Sequence, residues 1–291
     1  MDKVSETLAA AAIPMRRHSW WRILLGGMGI YILGLIVLVL TANPNVFPTV
    51  IMLGSFLVPV AFVAFFYDHR HLSDVDMGSI TLTFLYGGVL GTFAASLLEP
   101  LFIPHLDFQT AFVVGLIEEF SKILGVLVIA RRHEHDLEMD GLLLGAAAGM
   151  GFASFESLGY AFTAFLKSDG SLSATVAVIL LRGLLSPIGH GTWTAIFASV
   201  LFRESRARHF RVNLKVIGAY LTVVILHGLW DGLPKLVAQI APLGLDVFSA
   251  QLAVGVAGIL ILLHRWREAR RLQDEDLGVG LSSEAVGKGK L

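Results

Sequence analysis

Residues 113–127, VVGLIEEFSKILGVL, set two adjacent carboxylates and an amine in a run otherwise made for lipid. An ionisable group near the middle of a bilayer costs a few kcal/mol or more, so each one is by default a functional candidate. Three later apolar stretches carry polar groups too. FESLGY holds Glu156 with Tyr160 one turn on; RGLLSPIGHGTWT holds Arg182, Ser186, His190 and Thr194 at four-residue steps; HGLWDG holds His227 and Asp231. At helical spacing each set forms a stripe on one face. Carboxylates and imidazoles around a hydrated cavity can activate water: a glutamate takes the proton, and histidines orient the water, hold a metal or stabilise an oxyanion. Peptide-bond hydrolysis is the reaction that most needs this set.

The elements that must position these groups follow from composition. Of 291 residues, 55% are hydrophobic and 15% charged, and the mean hydropathy is +0.72. That balance predicts an all-α, polytopic membrane helix bundle. The ~20-residue criterion gives about eight spans, at 22–41, 47–67, 79–103, 108–130, 141–164, 180–202, 212–233 and 244–264. The sixth lies in a long apolar stretch, 172–202, where Pro187 can split a short leading helix from a spanning one. The polar site falls within helices four to seven. At 1.5 Å per residue, Glu119, Glu156, His190 and His227 all lie between the bilayer centre and ~7 Å towards the outside. Helices running in alternating directions need not agree in this way, so one shared site is the simplest account.

Basic residues fill alternate loops: Arg16, Arg17 and Arg22, then Arg70, Arg131 and Arg132, then the cluster from Arg203 to Lys215, and Arg265 to Arg271 after the last span. The opposite loops offer Lys167 and Lys235. This pattern predicts a multi-pass protein of the cell (plasma) membrane with both termini cytoplasmic. Residues 1–271 read as the integral membrane domain, and the polar, glycine-containing 272–291 as a disordered cytoplasmic tail. With no cysteine there is no disulfide, thiolate nucleophile or Cys-ligated zinc. There is no HExxH, no GxSxG and no phosphate-binding glycine loop, and neither an organic cofactor nor a nucleic-acid partner is expected; the surroundings are the lipid bilayer.

Each residue also has a plainer role open to it. Lys122 can neutralise a glutamate as a structural ion pair, and a single histidine can be a satisfied core group. Arg182 can snorkel to the outer surface, Asp231 can be a solvated helix end, and Tyr160 and Thr194 can serve packing alone. The charged stretches DHRHLSDVD, 68–76, and RRHEHDLEMD, 131–140, read as solvated connections. A proton-coupled membrane transporter is the competing function, since intramembrane Glu, His and Lys also build proton relays. Such a carrier spreads its polar groups along a path, whereas this chain concentrates them at one depth.

Taken in order, EEFSK, FESLGY, GHGTWT and HGLWDG resemble the four motifs of the PrsW family of intramembrane proteases, related to the CAAX prenyl endopeptidase and bacteriocin-processing superfamily. The resemblance covers about residues 108–233. It implies catalytic roles for Glu118, Glu119, Lys122, Glu156, His190, His227 and Asp231. Glu156 and Asp231 stand where the prenyl endopeptidase branch usually has histidine and asparagine, which favours the PrsW branch. The family implies cleavage of a single-pass membrane protein near its extracytoplasmic side, with first-site cleavage of an anti-sigma factor as the associated activity. His190 and His227 with Glu119 or Glu156 can form a His₂-carboxylate site for zinc or another divalent metal. The same residues can also act without metal.

Overall fold

The computed structural model describes residues 19–70, 73, 75–131, 137–205, 209–240 and 245–288. Its helices are α1 (Ser19–Thr41), α2 (Phe47–Asp68), α3 (Met77–Phe102), α4 (Thr110–Ala130), α5 (Glu138–Lys167), α6 (Leu172–Leu185), α7 (His190–Glu204), α8 (Leu214–Ile240) and α9 (Leu245–Lys288). Among the described residues, seven helical segments are long and apolar enough to cross a membrane, one of them the joined stretch Leu172–Glu204. Helix α4 has 21 residues, but Glu118, Glu119 and Lys122 make it too charged for that set; it is carried by its neighbours. Of the about eight spans expected, seven thus meet the criterion among the described residues, and α4 does not.

The stretch 172–202 is broken, as Pro187 suggested. Helix α6 ends at Leu185, a 3₁₀ turn covers Ser186–Ile188, and α7 starts at His190. The four-residue stripe from Arg182 to Thr194 therefore does not continue as one helix face. Ser186 Oγ donates to the Arg182 carbonyl at 2.6 Å and has no part in the polar cluster.

Helix α5 is the centre of the bundle: 83% of its most apolar stretch is buried, against 6% for α1. Its sequence explains this. Gly141, Gly145 and Gly149 recur every fourth residue, and a side chain at any of them would run into the backbone of α7 at Ala198, Thr194 and His190. Small residues let two helix backbones approach closely where apolar burial alone gives no drive to associate. This stripe sets the depth of His190. Helix α4 meets α8 by a similar device, since a Cβ at Gly115 would lie 2.9 Å from the Val224 carbonyl and 3.2 Å from His227 Cβ.

Within the two charged stretches read as solvated connections, several of the described residues are buried, Asp68, Ser73, Glu138 and Asp140 among them. Asp68, at the end of α2, accepts from the Ser19 and Trp20 amides at 2.7 and 3.0 Å and so caps the start of α1. Ser73 Oγ donates to Asp140 at 2.6 Å, and Glu138 and Asp140 are buried in the first turn of α5. Capping and pairing, invisible in composition, explain the difference; His133 and His135 lie outside the described residues. Helix α9 also runs on to Lys288, through the polar end expected to be disordered. A long apolar helix supplies the nucleus, and propagation costs less than starting anew.

Candidate active site

The polar groups of four sequence-distant stretches meet in one cluster. Lys122 Nζ donates to Glu118 Oε2 at 3.0 Å and to Glu119 Oε1 at 2.7 Å, and lies 2.9 Å from His190 Nδ1. The ammonium also sits over the Phe152 ring, 4.3 Å from its centroid. His227 Nδ1 is 2.9 Å from Glu119 Oε1, while its Nε2 lies 3.6 Å from Glu118 Oε2 and 3.3 Å from Asp231 Oδ2. His190 Nε2 is 3.2 Å from Glu156 Oε2. All seven residues expected from the sequence are within this network.

The adjacent glutamates are not equivalent, because neighbouring helical residues point ~100° apart. Glu119 is fully buried. Its Oε1 accepts from Lys122 and His227 and its Oε2 from Thr194 Oγ1 at 3.1 Å, so Thr194 does more than pack. Glu118 instead lines a cavity of about 670 Å³, together with Glu156, Arg182, His190, His227 and Asp231. The cavity is walled by the C-terminal halves of α3 and α5, the N-terminal half of α4 and the later turns of α8. It lies at the end of the bundle that holds the connections 103–109 and 168–171.

Donor and acceptor chemistry fixes the histidine protons. A carboxylate accepts only and an ammonium donates only. His190 therefore carries its proton on Nε2, facing Glu156, and offers the Nδ1 lone pair to the centre. His227 carries a proton on Nδ1, facing Glu119. Its Nε2 faces two carboxylates, Glu118 and Asp231, so a second proton or a cation belongs there.

Two cavity groups lay outside the expected set. Arg182 does not snorkel: its Nη2 donates to Glu156 Oε2 at 2.5 Å, its Nε donates to Ser157 Oγ at 2.9 Å, and the guanidinium lies 4.3 Å from the Tyr160 ring centroid. Tyr160 thus supports a charge beside the site. Glu99, near the end of α3, also lines the cavity. A lone glutamate before proline at a span end reads as a boundary, and no spacing signal marks it.

With this geometry in place, the comparisons decide the family. The PrsW family of intramembrane metalloproteases matches residues 77–263, well over half of the chain. The chain belongs to this family. A protein described as Protease PrsW, from Halalkalibacterium halodurans, is 28% identical over 180 residues, 60% of this chain and 78% of the relative. No solved structure matches significantly. The PrsW match covers α3 to the first part of α9 and contains every residue of the cluster. The protein is a multi-pass membrane protease, acting on membrane proteins within the bilayer.

The family description as a metalloprotease has a counterpart in the donor set. Glu118, His190 and His227 each offer one ligand atom, and the three atoms lie within 4.8 Å of one another. Each imidazole has its other nitrogen on a carboxylate outside the trio, Glu119 for His227 and Glu156 for His190. Such carboxylate–histidine pairs fix ring orientation at metal sites. The residues present therefore fit a His₂-carboxylate centre.

Proposed function

We propose that this protease cleaves a single-pass membrane protein near its extracytoplasmic side, with an anti-sigma factor as the substrate class that the PrsW resemblance suggests. The observation that carries the proposal is the facing of Glu118: of the paired glutamates it alone opens on the cavity, with both imidazoles beside it. The alternation of basic loops supports cytoplasmic termini and an outward-facing cavity.

Glu118 Oε2, His190 Nδ1 and His227 Nε2 are the atoms that would hold a divalent metal. Bound there, it supplies Lewis-acid polarisation of the scissile carbonyl and lowers the pKa of its water. Glu119 and Glu156 then serve as orienting carboxylates, not ligands. Asp231, a cavity carboxylate beside His227, is placed to accept the proton of the attacking water. Thr194 and Lys122 hold Glu119 in place.

One observation favours a metal-free version. The Lys122 ammonium already engages Glu118 Oε2 and His190 Nδ1, two of the three atoms that a metal needs. In that version the ammonium is the resident cation, Glu118 takes the water proton, and His227 donates to the oxyanion. Elemental analysis of the purified chain, paired with cleavage of a single-pass membrane substrate in detergent before and after chelation, separates the two. One metal per chain, lost in His190→Ala, with activity lost on chelation and restored by zinc, supports the metal centre. Undiminished cleavage by metal-free protein removes it. Full activity in Glu118→Gln and Glu119→Gln alike refutes the hydrolase site itself.

A further inference from the structure

We infer that Arg182 is a positioning residue of the reaction centre, acting through Glu156 to hold His190 in the tautomer that turns its Nδ1 lone pair towards Glu118. The inference deepens the function proposed above, although the tautomer it predicts can be measured without any substrate.

Arg182 and His190 are eight residues apart, yet they belong to different helices, because the chain breaks at Ser186–Ile188 between them. Both converge on one oxygen of α5: Glu156 Oε2 lies 2.5 Å from Arg182 Nη2 and 3.2 Å from His190 Nε2. The guanidinium is itself held at three points of α5, by Glu156, by Ser157 Oγ and by the Tyr160 ring. A planar fork fixed in this way presents one N–H to the carboxylate in a set direction, as a flexible amine would not. The carboxylate so oriented can only accept, and therefore selects the Nε2–H form of His190. From the other side Nδ1 faces the Lys122 ammonium, which also serves Glu118 and Glu119 and so does not by itself hold the ring. The two sides of the ring thus agree on one tautomer.

Two other roles for Arg182 predict different behaviour. A mere fastening of α6 to α5 would change stability and leave the ring untouched. A direct contact with the substrate carbonyl would lower the rate whether or not Glu156 is present. In the inferred role, loss of Arg182 leaves the Glu156 carboxylate free to turn about its own torsions, and His190 Nε2 loses its fixed acceptor. Partners of this kind typically contribute 10–100-fold to metal affinity or activity.

The experiment is nitrogen NMR of the full chain with labelled histidine, made metal-free by chelation, with the His190 signal identified by its loss in His190→Gln. The wild-type chain should show His190 as Nε2–H. Arg182→Met and Glu156→Gln should both lose that signature, and Arg182→Lys should keep it in part. In parallel, cleavage of a single-pass membrane substrate should fall about 10–100-fold in kcat for Arg182→Met, with KM little changed. The double variant should be no slower than Glu156→Gln alone, because the two act as one unit.

A wild-type His190 protonated on Nδ1 overturns the inference, as does an unchanged signature in Arg182→Met or a fully additive rate loss in the double variant. Should Arg182→Met fail to fold, Arg182→Lys and Glu156→Gln carry the test: equal signatures in those two overturn it. Absence of any Glu118-dependent cleavage by wild-type protein refutes the proposed function and leaves the NMR result to judge Arg182.

Discussion

Helix α5 carries a buried ionic cluster at each end, and the two are built on different principles. At one end, Arg265 pairs with Glu138 and donates to Glu268 at 2.5 Å, while Arg203 reaches the other oxygen of Glu268 at 2.9 Å. Arg265 also donates to Ser199 Oγ. These arginines and glutamates tie α5, α7 and α9 together as ion pairs. At the other end, imidazoles replace arginines at the centre, and Glu118, Asp231 and His227 Nε2 face one another across a cavity. A strut sets each cation against an anion. A reaction site leaves lone pairs aimed at a shared point.

The comparison is broken most sharply by separating activity from stability. Glu118→Gln and His227→Ala should lower proteolysis by ~10²–10⁴ or more, the usual worth of a positioned proton-transfer group, while thermal unfolding in detergent stays close to wild type. Lys122→Met should lower both, since it strips the cation from two buried carboxylates. Were Glu118→Gln to unfold the protein, the cluster near the cavity would be a second strut.

The opposite behaviour is expected at the other end. Removing one partner of a buried ion pair leaves an uncompensated charge, so Arg265→Met should destabilise by ~3–5 kcal/mol. Proteolysis per folded molecule should be unchanged. The double variant Glu138→Met with Arg265→Met should recover much of that loss, because well-packed apolar residues can replace a buried pair. A double variant as unstable as the single one would mean that Arg265 acts chiefly through Glu268 and Ser199.

The reaction cluster was the more legible of the two in the sequence, for a physical reason. Glu118, Glu119, Lys122, Glu156, His190, His227 and Asp231 lie inside apolar spans, where every charge demands an explanation. Glu138, Arg203 and Arg265 lie at span ends, where solvated charges are ordinary, so their burial could not be read. Glu99 was missed on the same ground. The facing of Glu118 and Glu119 was not legible either, because it depends on how α4 is rotated against α8 at Gly115. The ion pair from Arg182 to Glu156 crosses 26 positions and a helix break, which no periodicity records.

A smaller, hydrogen-bonded cap at a water-exposed helix end completes the scale. Asp76 precedes α3 and caps it: one oxygen accepts from the Ser79 amide at 2.9 Å, the other from the Ser79 hydroxyl at 2.7 Å. These hydrogen bonds, first that to the hydroxyl, hold its carboxyl below the ordinary range. A depressed folded-state pKa means that the cap contributes fully above the unfolded value of ~3.9 and is lost as pH falls through the lower folded value. Asp76→Ala should therefore cost about 1 kcal/mol at pH 7. The gap between variant and wild type should shrink as the buffer is taken below that range. Melting curves of both proteins at neutral and strongly acidic pH test this, and a gap that persists unchanged in acid would show that the Asp76 contribution is not that of an ionised cap. Proteolysis at pH 7 should not respond, because Asp76 lies at the start of α3, the end away from the cavity-lining residues Ser96 and Glu99.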